Sequence, residues 1–283
     1  MEATLAQYRA LFGARTFVRS VGQGTAFLAA SVIAIFAAVT YATTNASNHV
    51  TDIVLSNVGP FDMRFLFVYG TFIGFVIVAS LLAWKPNRLP FALKSMALFL
   101  LVRAVFVSLT HIAPSPIEPP TPAPFLNSIF YGSDQFFSGH TGMPFLLALA
   151  FWHMPLLRLL FLAATAFFGT IVLLGHYHYS IDVLAALFIT YGIFQWACWL
   201  FPQDYALFRS SELQSARKSR KAAAEDTTQD ATNESPSGPK KRVRRRISKW
   251  VARARKPRAP LPAAAASLPA PGERMVLHLV EKD

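Results

Sequence analysis

Cysteine occurs once in the 283 residues, as Cys198 between Ala197 and Trp199. A single thiol excludes an intrachain disulfide, and its place in an apolar run reads as packing. Charge is scarce too: 15% of residues are charged against 53% hydrophobic and 13% aromatic, a balance that excludes an ordinary soluble domain. Lys and Arg are missing altogether from residues 43–62, 113–141 and 176–180. No internal repeat is visible, and no second globular domain is needed to account for the length.

What is there is a series of apolar runs, at about Ala26–Ala42, Phe65–Trp84, Phe91–Ile112, Gly142–Leu157, Leu159–Gly175 and Tyr179–Phe201. At roughly 20 residues per crossing, they predict an all-α, polytopic membrane protein with a bundle of six transmembrane helices. The fourth run is short and relies on Pro144 falling in the first helical turn, where a missing N–H costs nothing. Arg9, Arg15 and Arg19 before the first run raise the alternative of a secretory signal, but the long polar lead and the further spans predict a retained helix.

The cations sort by side. Three Arg precede the first span; Lys85, Arg88 and Lys94 lie between the second and third, and Arg158 between the fourth and fifth. The positive-inside rule places these, and with an even span count both termini, in the cytoplasm. The cation-free stretches then face the other side. The expected organisation is a cytoplasmic segment over residues 1–25, a six-helix transmembrane bundle over 26–203 and a disordered, basic cytoplasmic tail over 204–283.

Chemistry-bearing residues fall on the cation-free side. A stretch with Pro114, Pro116, Pro119, Pro120, Pro122 and Pro124 reads as an extended connector, serving either as a lid or as a stiff linker. After it comes Asp134-Gln135-Phe136-Phe137-Ser138-Gly139-His140-Thr141. Ser138 can cap the next helix and Gly139 lets a ligand approach the backbone, so the free amides and positive dipole end favour an anion such as phosphate, with His140 in reach. A snorkelling surface histidine is the structural alternative.

At the start of the last run stands His176-Tyr177-His178-Tyr179-Ser180-Ile181-Asp182-Val183. A helix beginning near His178 would set His178 and Asp182 on one face, the carboxylate orienting the imidazole. A helix-end hydrogen bond is the alternative. Arg103 lies within the third run, where a central Arg costs about 2.5–3.5 kcal/mol on insertion scales and must face the interior or water. Its guanidinium suits a phosphate, or equally an ion pair with Asp182 or Asp134.

Phe137-Ser138-Gly139-His140-Thr141, together with His176-x-His178-Tyr179-Ser180-x-Asp182-Val183 and preceded by Arg103 with Thr110 seven residues on, resembles the sphingomyelin synthase family within the wider lipid phosphate phosphatase (PAP2) superfamily. The resemblance covers roughly residues 65–201. It implies that His140, His178 and Asp182 are catalytic, that Asp134 matches the acidic residue ahead of the Ser-Gly-His-Thr motif, and that His176 matches as well. The Lys/Arg-Pro motif of the phosphatase branch is not found, and Ile171-Val172 stands where that branch has Ser-Arg. The family's Cys-Gly before the acidic residue is Gly132-Ser133 here, and its Leu-Pro after the threonine becomes His111-Ile112-Ala113-Pro114.

The expected function is that of a sphingolipid-type transferase moving a phosphorylated headgroup from a phospholipid to a lipid alcohol such as ceramide. His178 would be the nucleophile, His140 the acid and base, and Arg103, Ser138, Gly139, His176 and Asp134 would surround the phosphate; no metal or cofactor is called for. Lipid phosphatase or headgroup hydrolase activity is the alternative, since water competes with the alcohol. Two readings from other classes stand beside these: a Zn²⁺ site built from His140, His176, His178 and Asp182, and an ion or proton pathway through the intramembrane charges. In the tail, Lys240-Lys241-Arg242-Val243-Arg244-Arg245-Arg246 predicts contact with anionic lipids, with Trp250 at the interface, and no nucleic-acid partner is expected. His49, His111, His153 and His278 have no evident partner in sequence, and Trp152, Trp196 and Trp199 suit a membrane interface.

Overall fold

A computed structural model describes residues 2–116 and 136–210. All of its regular structure among those residues is helical. After the short α1 (Glu2–Gly13) and the long α2 (Arg15–Thr44) come a five-residue α3 (Ile53–Asn57), α4 (Arg64–Trp84), a 3-10 turn at Pro86–Arg88 and α5 (Leu89–Thr110). Then follow α6 (Gly139–Ala150), α7 (Pro155–Leu174), α8 (Ser180–Leu200) and a further helix, α9, over residues 202–210. Five of these, α2, α4, α5 with its leading turn, α7 and α8, are long and apolar enough to cross a membrane. The fold is an all-α, multi-pass membrane architecture.

The fourth apolar run departs from expectation. It forms a helix of 12 residues that starts at Gly139 rather than Gly142, about 18 Å long at 1.5 Å per residue. The early start follows from Ser138, whose side chain caps the helix. Pro144 consequently lies inside the helix and not in its first turn, and its missing N–H leaves the carbonyl four residues back, that of His140, without the usual helical donor. At the other end the chain turns through Phe151–His153, and Pro155 opens α7 at a position where proline is favoured.

Packing explains how so short a helix is accommodated. Phe208 of α9 is buried in the main core, 5.1 Å from the Phe151 ring and 5.5 Å from Phe91. The Arg88 guanidinium lies over both Phe151 and Phe208, at 5.0 and 5.8 Å. α9 therefore fills the space beyond the C-terminal end of α6, and packed structure runs to at least Ser210. α2 and α5 pair along most of their length, while α6 packs on α7 and α8.

Two ends of the bundle result. At one end Lys94 donates to Ser20 (2.8 Å) and Asp204 (2.7 Å), Ser20 donates to Asp204 (2.6 Å), Asn87 donates to the Leu207 carbonyl, and the Tyr8 hydroxyl donates to the Ala83 carbonyl. The opposite end gathers the start of α4, the finish of α5 and α7, and the starts of α6 and α8.

Candidate active site

α8 begins at Ser180, with Tyr179 as its N-cap. His178 is therefore just outside the helix, and its closeness to Asp182 is not the helical i,i+4 face that the sequence spacing suggests. Asp182 is instead the third helical residue and reaches backwards: its Oδ2 accepts the Tyr179 amide at 3.0 Å and lies 3.7 Å from His178 Nδ1. This is one arm of a capping box. Asp182 is 0% exposed and its Oδ1 has no hydrogen-bond partner among the described residues.

The two sequence motifs meet through backbone. The Ser138 amide donates to the Asp182 carbonyl at 3.2 Å, so the cap of α6 is pinned to the first turn of α8. Ser138 in turn accepts from the Thr141 amide at 3.4 Å and from its hydroxyl at 3.2 Å.

Arg103 is 5% exposed and donates through Nε to the Phe137 carbonyl at 2.9 Å. A Cβ built on Gly139 would come within 3.1 Å of Arg103 Nε and 3.4 Å of Cζ. The guanidinium thus lies against the N-terminus of α6 at Gly139, where no side chain stands in its way. His140, next along, is within electrostatic reach of both His178 and Arg103. Its ring packs 4.3 Å from Phe67 and 6.2 Å from Phe168, and Phe67 also meets Tyr177 at 4.9 Å.

The structure therefore brings together Arg103, Ser138, Gly139, His140, His178 and Asp182. His176 is placed differently. Its backbone is left-handed (φ 57°) and its Nε2 donates to the Val58 carbonyl at 2.8 Å, while its buried Nδ1 has no partner among the described residues. Asp134 lies outside the described residues, as do Pro119 to Pro124 and the tail from 211. Among the described residues no three His, Cys, Asp or Glu side chains converge as metal ligands.

Sequence reasoning passed over two neighbours. Phe67 covers His140 from α4, and nothing in an apolar run singles out such a ring. Asp52, in the loop after α2, caps α3 and also accepts the Ser180 amide at 2.6 Å. Its signal was available, since an Asp directly ahead of Ile53-Val54-Leu55 has the form of an N-cap. Burial pushes the Asp52 carboxyl up, but hydrogen bonds from Ser180, Leu55 and Val54 outweigh it and hold the group below its ordinary value of 3.8.

Grouped in this way, the residues offer an imidazole near a carboxylate, a second imidazole against apolar rings, and a guanidinium beside the N-terminal amides of a helix. That set suits attack on a phosphate ester. No curated protein and no solved structure matches the chain. Residues 132–199 match the family model described as PAP2 superfamily C-terminal, a segment containing both the Ser138–His140 and His176–Asp182 motifs, and this match supports membership of the PAP2 superfamily and with it phosphatase- or phosphotransferase-type chemistry on lipid phosphates.

Proposed function

We propose that this chain is a membrane lipid phosphotransferase of the sphingomyelin synthase kind, passing a phosphorylated headgroup from a phospholipid to a lipid alcohol such as ceramide. The observation that carries the reading is the bond from the Ser138 amide to the Asp182 carbonyl, which supports a single centre drawing on both motifs.

With Nδ1 of His178 turned to Asp182, its Nε2 is the nucleophile. Nε2 attacks phosphorus, the bond from phosphorus to the diacylglycerol oxygen breaks, and His140 delivers a proton to that oxygen. The headgroup phosphate is then held on His178. In the second half, His140 removes the proton from the acceptor hydroxyl, the new P–O bond forms and the P–N bond breaks. Arg103 and the amides at Gly139 stabilise the charge on the pentavalent phosphorus in both halves. The 3.7 Å separation of His178 and Asp182 exceeds a hydrogen bond, and it closes as positive charge builds on the imidazole. The resemblance alone assigns Asp134 to the phosphate, and His176 can join only through Nδ1, since Nε2 is committed to Val58.

The absence of Lys and Arg from the loops at the site end supports a non-cytoplasmic site with both termini in the cytoplasm. Single cysteines placed at Asn48 and at Lys85 in a Cys198→Ser background should label from opposite sides of sealed vesicles. The basic tail beyond residue 210 then lies against anionic lipid of the inner leaflet.

The deciding experiment supplies purified protein in detergent with headgroup-labelled phospholipids and a panel of lipid alcohols including ceramide. Label on an added alcohol is the expected result and names the acceptor. Release of label only as free phosphorylated headgroup or phosphate would make the protein a hydrolase.

A further inference from the structure

Asp52 stands outside both motifs, yet its carboxylate is attached to two elements at once. Oδ1 accepts the amides of Val54 (2.8 Å) and Leu55 (3.1 Å), capping α3. Oδ2 accepts the amide of Ser180 at 2.6 Å. That amide opens α8 and is among those that a helix cannot satisfy for itself; His178 lies two residues before it and Asp182 two residues after.

The same loop holds the segment ahead of α8 at two further points. The Val58 carbonyl receives His176 Nε2 at 2.8 Å, and the Phe61 amide donates to the Leu174 carbonyl at 2.8 Å. Between these anchors the chain passes through left-handed backbone at His176, a conformation that a non-glycine residue keeps only when its surroundings impose it. Serine or asparagine could cap α3 equally well. Neither brings two acceptor oxygens, so neither can cap α3 and hold Ser180 together.

We infer that Asp52 is a positioning residue for the catalytic pair: by clamping the Ser180 amide to the 45–62 loop, it sets the start of α8 and hence the approach of Asp182 to His178. The inference rests on the assignment of His178 and Asp182 as that pair. Asp52 touches neither substrate nor the reacting atoms; it acts through the geometry of residues 175–182.

The test uses full-length protein in detergent with headgroup-labelled phosphatidylcholine, phosphatidylethanolamine and phosphatidylglycerol as probes. Asp52→Ser keeps the α3 cap and gives up the Ser180 arm, and Asp52→Asn is the near-isosteric second variant should the first fail to fold. Misplaced catalytic groups predict a fall in kcat of about 10- to 100-fold, with KM changed by less than about twofold and a drop in thermal midpoint, from the lost bond, too small to account for the loss of turnover. Deuterium exchange should quicken in peptides covering 175–182 and not in those covering α6. Added to Asp182→Asn, the Asp52 change should cost little more, because both act through one pair.

Wild-type kcat in both Asp52 variants, a loss that follows the thermal midpoint, or a loss that multiplies undiminished with Asp182→Asn would overturn the inference. His178→Ala separates the two levels. If His178→Ala is inactive while the Asp52 variants are intact, only the role of Asp52 falls; if His178→Ala still turns over lipid, the catalytic assignment falls and the inference with it.

Discussion

Asp182 serves three contacts with a single residue: its Oδ2 caps α8 at Tyr179, the same oxygen faces His178, and its main-chain carbonyl holds Ser138. Asp182→Asn keeps the main-chain contact and an oxygen for the cap, and loses the charge. Turnover should therefore fall about 10³- to 10⁴-fold, as for a carboxylate that orients a catalytic imidazole, with little change in the thermal midpoint; a parallel loss of folded protein would mean that the carboxylate's role is structural. Phe67 is 1% exposed against the His140 ring, and if His140 transfers the proton as proposed, this ring would keep water from it. Phe67→Ala should raise the ratio of hydrolysed to transferred headgroup, and an unchanged ratio in a competition assay would count against that role. At this scale the sequence was most legible where residue type is costly in a membrane, as with Arg103 and Asp182. It was silent on Phe67, because apolar rings are the default filling of a span.

Among the elements, α6 shows where sequence patterning stopped short. Hydropathy marks an apolar run but not the helix start, which a local contact, Ser138 to Thr141, sets three residues earlier than the run itself. Two helices converge on the second turn of α6: a Cβ on Gly142 would sit 2.8 Å from the Phe99 ring of α5 and 2.8 Å from Thr190 Oγ1 of α8. Gly142→Ala should cost about 1–3 kcal/mol through overpacking and lower the thermal midpoint in detergent. An unshifted midpoint would show that α5 and α8 can part freely. α3 and α9 escape hydropathy patterning for a related reason. The first is five residues held by Asp52, and the second begins at Pro202, where the sequence turns polar but Phe208 still reaches the core.

For the molecule as a whole, Lys85, Arg88 and Lys94 stand toward one end and His140, His176 and His178 toward the other, with Arg64 and Arg103 the exceptions on the histidine side. What the span pattern could not convey was that the end away from the histidines is itself a packed polar layer. Lys94 and Asp204 are joined at 2.7 Å with side chains only 10% and 13% exposed, and Ser20 bridges them. Removing one partner of a largely buried pair leaves the other uncompensated, so Lys94→Met should destabilise by about 3–5 kcal/mol. Lys94→Met combined with Asp204→Leu should recover much of that, and thermal unfolding of the single and double variants would show it.

Under the proposed assignment, the link between Ser138 and Asp182 would also set when the protein first becomes competent. Its two ends belong to residues made far apart in time on the ribosome, and the Asp52 clamp adds a third that emerges earlier still. Arg103 must enter the bilayer before either Phe137 or α8 has been synthesised. A nascent chain halted before the last span would contain Arg103, Ser138 and His140 and still be inert. Under the proposed assignment, turnover would accordingly report that α8 has been inserted and packed.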